Sequence, residues 1–472
     1  MRKVFFFLFL IVSTVFVFAS RQEGEQKLIT VQLANFDDQI IDTFERSGFD
    51  IAGHYKGKLE VVVDSDAEYQ EFFRFLRKKG IAFEIISLEE SHAYGQSDSA
   101  EYFSVEETLQ AMRDMESANP QIVKVFDLNE KLETPKTQGG QSLYAMQISL
   151  RPSEVIDQAK ILFVGQHHAR ELMTHHAVID SAKLYLERIN AADPKYTDAL
   201  QKHALWFVPV VNPDGLDYVF SRNNMWRKNR AQNDDGSRGV DLNRNYAYKW
   251  GECGSNSSRG SSDTYKGPSA FSEPESLVMD GLVSLIRPQF LISYHSSGDE
   301  VLYPYVCGQM AERDVYYGIR DELASELGFG KRVASSSGED FEHHYARYGS
   351  LAFLLEIGRS FQPSFSTYLR TVKPTIEKVL PFLLDKLSGG WLEVKVLDAD
   401  SGEPLQAGVM VSDIRFVEGE TRYTDKFGTY RWLLKPGAYE LTVARDGYFV
   451  ETQQVEVGAG RSMARMILRK KD

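Results

Sequence analysis

Four short apolar runs, at 161–164, 205–211, 290–294 and 351–355, constrain this chain more than anything else in it. Helical stripes lie between them, and runs of this length without polar alternation read as strands buried on both faces. Such strands need cover above and below, which crossover helices provide. The expectation for residues 103–388 is therefore an α/β domain with a mixed, mostly parallel sheet covered by helices. In open sheets of this kind, sites form beyond the carboxyl ends of the strands. The residues just past each run are therefore the place to look for chemistry.

The flanks read differently. Met1-Arg2-Lys3 followed by an apolar run to Phe18 is a secretory signal peptide, residues 1–19, cut after Ala19. That predicts a secreted protein, extracellular or periplasmic, with no stable membrane insertion after cleavage. Residues 20–88 alternate strand and helix patterns. Ser65-Asp66-Ala67-Glu68 opens a helix as a capping box, and Tyr69, Phe72, Phe73 and Leu76 give it one apolar stripe. The polar stretch 89–102 is an exposed linker where nicking is easiest. A compact unit and then a linker ahead of a large domain suggest a removable pro-segment; an accessory domain that stays attached is the alternative. Beyond Gly389-Gly390, period-two alternation and recurrent turn signals predict an all-β sandwich over 389–472.

Lysine plus arginine number 54 against 67 acids, a net charge of −13, which argues against a nucleic-acid partner. The chain has two cysteines, Cys253 and Cys307, too few for a thiolate zinc site; whether they pair stays open.

Three of the apolar runs deliver titratable groups at their exits. The first is followed by Gly165-Gln166-His167-His168-Ala169-Arg170-Glu171, in which His168 and Glu171 are spaced to converge on one cation. The third ends at Tyr294 and presents His295; the fourth ends at Leu355 and presents Glu356. Two histidines and a carboxylate with one open position describe a catalytic zinc site, and an unligated carboxylate is the general base such a site needs. His168, Glu171 and His295 are the expected ligands of one Zn2+ per chain, with Glu356 as the base. His167, His175 and His176 have no matching partner and read as bystanders.

His168-Ala169-Arg170-Glu171 resembles the first metal motif of zinc metallocarboxypeptidases of the carboxypeptidase A and T type. The likeness continues through Trp226-Arg227-Lys228, Gly239-Val240-Asp241-Leu242-Asn243-Arg244-Asn245, Tyr294-His295-Ser296, Tyr303-Pro304-Tyr305 and Leu355-Glu356, in order. The resemblance implies that Glu356 takes a proton from the zinc-bound water and returns it to the leaving amine. It implies that Arg227 stabilises the oxyanion, and that Asn243 and Arg244 grip the terminal carboxylate of a peptide or protein substrate. By the family's count Phe341, with Asp340 and Glu342 beside it, falls where the specificity pocket is lined. Phe341 implies apolar or aromatic terminal residues, while the acids would suit lysine or arginine. The tyrosine that covers the substrate in the family has no counterpart at the expected distance, near Ala334. The N-terminal unit resembles the family's pro-segments, implying a zymogen and an activating protease, and the C-terminal unit resembles a transthyretin-like sandwich. Two other readings stand beside a secreted carboxypeptidase. One is a peptidase trimming cell-wall peptides, against which Asn243 and Arg244 argue. The other is a catalytically silent peptide-binding homologue, against which the complete ligand set with Glu356 argues.

Overall fold

The computed structural model describes residues 26–34, 40, 43–44, 47, 49–55, 57–63, 66–90 and 102–471. The expected signal peptide, the capping serine Ser65 and nearly all of the expected linker lie outside them. Among the described residues no helix is long and apolar enough to cross a membrane.

The N-terminal unit is a four-stranded antiparallel sheet formed by β1 (Lys27–Leu33), β2 (Asp50–Tyr55), β3 (Lys58–Val63) and β4 (Phe83–Glu90), in the order β2-β3-β1-β4. The helix Asp66–Lys78 buries Phe72, Phe73 and Leu76, the stripe expected from the sequence. Ile29, Val31, Leu59, Val61 and Val63 join that core. Leu28 and Val62, of opposite parity along their strands, pack instead with Met225 and Phe361 of the following domain. Both faces of β1 and β3 are thus used, one to hold the unit together and the other to dock it.

The central domain holds β5 (Val123–Asp127), β6 (Tyr144–Ile148), β7 (Ala159–Val164), β8 (His203–Val208), β9 (Phe290–His295), β10 (Glu300–Tyr303), β11 (Gly330–Val333) and β12 (Leu351–Glu356). They form one sheet in the order β11-β10-β12-β9-β7-β8-β6-β5. The four apolar runs seen in the sequence supply the central strands β12, β9, β7 and β8, which are mutually parallel; β5, β6 and β10 add antiparallel pairs outside them. From β7 the chain passes first to β8 on one side and later to β9 on the other. The order reverses between β7 and β9, and a crevice opens at the carboxyl ends of strands flanking such a reversal.

The C-terminal unit packs a sheet of β15 (Thr429–Leu433), β13 (Trp391–Asp398) and β18 (Ser462–Leu468) against one of β14 (Gly408–Val411), β16 (Gly437–Ala444) and β17 (Glu451–Val457), with its own apolar core. It is fixed to the central domain by a buried polar knot. Glu312 accepts from Tyr345 Oη at 2.8 Å, from Trp432 Nε1, and from the buried Arg422 guanidinium at 2.5 Å. Cys253 and Cys307 are paired, with Cα atoms 6.4 Å apart. The first of them belongs to a loop pinned on 335–337, where Ser337 N donates to Cys253 O at 3.0 Å. Gly254 is obligatory there: its φ is +81°, and a Cβ would stand 2.4 Å from Ser335 O.

Candidate functional site

The crevice between β7 and β9 gathers the expected groups. The turn after β7 is shaped by Gln166, whose N–H donates to Thr174 Oγ1 at 3.0 Å and whose Nε2 donates to Ala169 O at 2.6 Å. That cage turns His168 and Glu171 to the same side. The Asn212 side chain donates to His167 O at 3.1 Å and to Lys228 O at 3.0 Å, tying this turn to the segment that carries Arg227. On the neighbouring strands Glu356 is the register partner of His295. The two therefore leave the sheet side by side.

His168 Nδ1 lies 2.7 Å from Glu171 Oε1 and 3.1 Å from His295 Nδ1, and His295 Nδ1 lies 3.2 Å from Glu171 Oε2. One ligand atom from each of the three falls within 4.8 Å of the other two, and all three residues are buried. Two imidazole nitrogens pointed at one carboxylate in so small a space are a donor set for a cation, and two histidines with one carboxylate suit zinc. Asp241 Oδ1 stands 3.1 Å from His168 Nε2. It places the proton there and leaves the Nδ1 lone pair for a metal. Asp241 Oδ2 takes Arg227 Nε at 3.1 Å and Nη2 at 2.9 Å, so one buried carboxylate sets both a ligand and a cation. Burial pushes the Asp241 carboxyl up, but Arg227, Arg244 and His168 outweigh it and hold it well below the usual range. Burial likewise acts against Glu171, and the two imidazoles still hold it low. Glu356 goes the other way. Burial, and then the charge on Glu171, raise its carboxyl well above the ordinary glutamate value. Its Oε2 has no hydrogen-bond partner among the described residues. A raised proton affinity and an unused oxygen are what a proton-transfer group in such a site requires.

Arg227, Asn243 and Arg244 line the same cleft as the three metal-site residues and Glu356. Asn243 is set by Asp340 N, which donates to its Oδ1 at 2.9 Å. Arg244 donates through Nε to Ser255 O at 2.7 Å and through Nη1 to Asn243 O and Glu339 Oε1, at 2.7 and 3.1 Å. These bonds fix the guanidinium plane without using its second terminal nitrogen.

Phe341 is not in the cleft. It is fully buried in the main core, and the residue of that segment that lines the cleft is Glu339. Glu339 precedes the helix Asp340–Tyr348 and Phe341 lies inside it. Burial raises the Glu339 carboxyl to about 7, with Arg244 pulling against it. No tyrosine is among the described residues lining the cleft; Ser335, next to Ala334, is.

Sequence reasoning passed over three participants. The motif 239–245 carries Asp241 with no role legible from sequence, and His167 reads there as a bystander. The His167 ring stacks on His295 at 5.3 Å and its Nε2 meets Tyr246 Oη at 2.9 Å, backing the metal site. Position directly before His168 is the one signal that could have found it. The third is Asp50 of the N-terminal unit, which enters the cleft between Phe49 and Ile51. Its Oδ1 accepts from Arg170 Nη2 at 2.7 Å and its Oδ2 pairs with Nη1 at 2.5 Å. Nothing local in the sequence marks that pairing.

Residues 108–362 match the family model described as zinc carboxypeptidase. Zinc carboxypeptidase A 1 of Drosophila melanogaster is 26% identical over 382 residues, covering 73% of this chain and 85% of that protein. Carboxypeptidase A2 of Rattus norvegicus is 30% identical over 235 residues, 48% of this chain and 51% of that protein. In fold, the crystal structure of carboxypeptidase A from Helicoverpa armigera superposes with a TM-score of 0.61 at 21% identity, covering 76% of this chain and 96% of that one.

Proposed function

The chain belongs to the zinc carboxypeptidase family, a family of metal-dependent peptide hydrolases, and we propose that it is exported as a precursor and removes single residues from the free C-termini of peptides and proteins. The arrangement that carries this reading is the convergence of His168, Glu171 and His295 on one point, with Glu356 beside His295 and unligated. When bound there, zinc supplies a Lewis acid that polarises the scissile carbonyl and lowers the pKa of water. His168, Glu171 and His295 would hold it, with Asp241 fixing the tautomer of His168.

Glu356 takes a proton from the attacking water and delivers it to the leaving amine. Its raised proton affinity suits both halves of that transfer. Arg227, oriented by Asp241 and buried, stabilises the negative charge that develops on the carbonyl oxygen. Asn243 and Arg244 bind the terminal carboxylate, which limits cleavage to the last peptide bond.

Residues 1–19 direct export, 20–88 form a pro-segment, and 389–472 form a transthyretin-like sandwich that steadies the central domain. Asp50, inserted beside the metal-site residues and tied to Arg170, supports the pro-segment reading: while it is docked, a peptide terminus and Asp50 compete for one space. A protease acting between 89 and 102 then activates the enzyme.

The test compares the nicked protein on an N-blocked dipeptide with a free terminus and on its amide, before and after chelation and zinc return. Turnover of the free acid alone, abolished by chelator and restored by zinc, is the expected result. Equal cleavage of the amide would remove the carboxylate clamp, and activity that survives metal stripping would remove the zinc chemistry.

A further inference from the structure

A second set of metal donors lies outside the catalytic cleft. On the helix Pro274–Ile286, Asp280 faces the helix Asp340–Tyr348, which carries His343 and His344. One ligand atom from each of Asp280, His343 and His344 lies within 4.8 Å of the other two. His343 Nε2 is 2.9 Å from Asp280 Oδ1, and Tyr348 Oη donates to the same oxygen at 2.7 Å.

His344 is the telling member. It is fully buried, and neither of its ring nitrogens has a hydrogen-bond partner among the described residues. His343 Nδ1 is equally without one. Buried polar atoms are nearly always satisfied, so an orphaned imidazole beside a carboxylate and a second imidazole asks for a ligand. The aromatic rings of Tyr246 and Phe271 wall the site on one side. Asp280 and His343 open onto a surface cleft bounded by Tyr248 and Arg347, which provides the way in.

We propose that Asp280, His343 and His344 form a second, non-catalytic site for a divalent transition-metal ion of the zinc class. Two imidazoles and one carboxylate select zinc, cobalt or nickel over calcium and magnesium, which prefer all-oxygen cages. Donor atoms on one tetrahedral zinc at about 2.1 Å stand about 3.4 Å apart, a spacing that three donors within 4.8 Å of one another reach by side-chain adjustment. The ion clamps the helix 340–348 to the helix 274–286. The first of these helices also supplies Asp340 N to Asn243, so the clamp braces a support of the cleft without entering it.

Zinc content after dialysis against dilute zinc decides the matter. The intact chain should take up two equivalents, and D280N and H344F should each take up one while keeping catalytic turnover. H168A, which removes a catalytic-site ligand, should keep one equivalent, and H168A/D280N none. Added zinc should also raise the melting temperature of H168A but not that of H168A/D280N. One equivalent in the intact chain, or a second equivalent that persists in both D280N and H344F, would overturn the proposal. D280N, at a partly exposed residue, guards against H344F failing to fold.

Discussion

Replacing Asp50 with alanine tests the precursor reading at its most specific contact. Arg170 is fully buried and has its guanidinium over the Phe361 ring at 4.2 Å, and Asp50 pairs with two of its nitrogens. Removing one partner of a buried, hydrogen-bonded charge pair at an interface costs about 2–5 kcal/mol, mostly from the charge left behind. Here the cost should fall in the lower half of that range, because Asp263 stands 3.8 Å from Arg170 Nη1 and takes up part of the charge. The remaining docking contacts stay: Gln26 with Asp263 and Asn223, and the seam of Leu28, Val62, Met225 and Phe361. A loss of about 2–3 kcal/mol weakens docking about 30- to 150-fold, at 1.4 kcal/mol per decade. While the undocked fraction is small, turnover by the uncut chain follows that fraction. The assay is therefore the rate of uncut D50A on a free-ended dipeptide against uncut wild type. An increase of about 30- to 150-fold is expected, with the nicked enzyme as ceiling. Nicked D50A should match nicked wild type, since the segment has then left. An uncut variant as silent as wild type would refute the reasoning, as would an uncut wild type already as active as the nicked form.

Three further outcomes rest on the same contacts. Glu356→Gln should retain its zinc, because Glu356 is outside the ligand set, yet lose turnover by about 10²- to 10⁴-fold; metal content and kcat measured on one preparation check both halves. Glu312→Ala strands the buried Arg422 together with the donors of Tyr345 and Trp432, and should cost about 3–5 kcal/mol in a urea titration of the full chain; a loss near zero would show that the sandwich is not held by this knot. The Asp50 carboxyl, pushed up by burial but more strongly held down by Arg170, lies below its ordinary value of 3.8. A depressed carboxyl contributes stability that is complete above the ordinary value and is lost as the pH falls through the lower docked one. Mild acid should therefore leave the uncut chain silent. Activity of the uncut chain that rises between pH 7 and pH 5 would contradict that sign.

The amino-acid sequence by itself determined the four central strands, since a run apolar on both faces has nowhere to go but the middle of a covered sheet. It determined which groups stand at the strand exits, because His295 and Glu356 directly follow their runs. The outer strands β5 and β6 and the short β10 and β11 were not legible, being brief and, in β5, only half buried, so no periodicity marks them. Only the tertiary structure decided which residue of the 339–342 segment faces the cleft: Glu339 does so from the extended position before the helix, while Phe341 inside the helix is buried in the core. Only the tertiary structure paired Arg170 with Asp50, 120 residues apart, and brought Asp280 to His343 and His344. Strand burial is written locally, in neighbouring side chains. Contacts between elements depend on packing that no short stretch of sequence encodes.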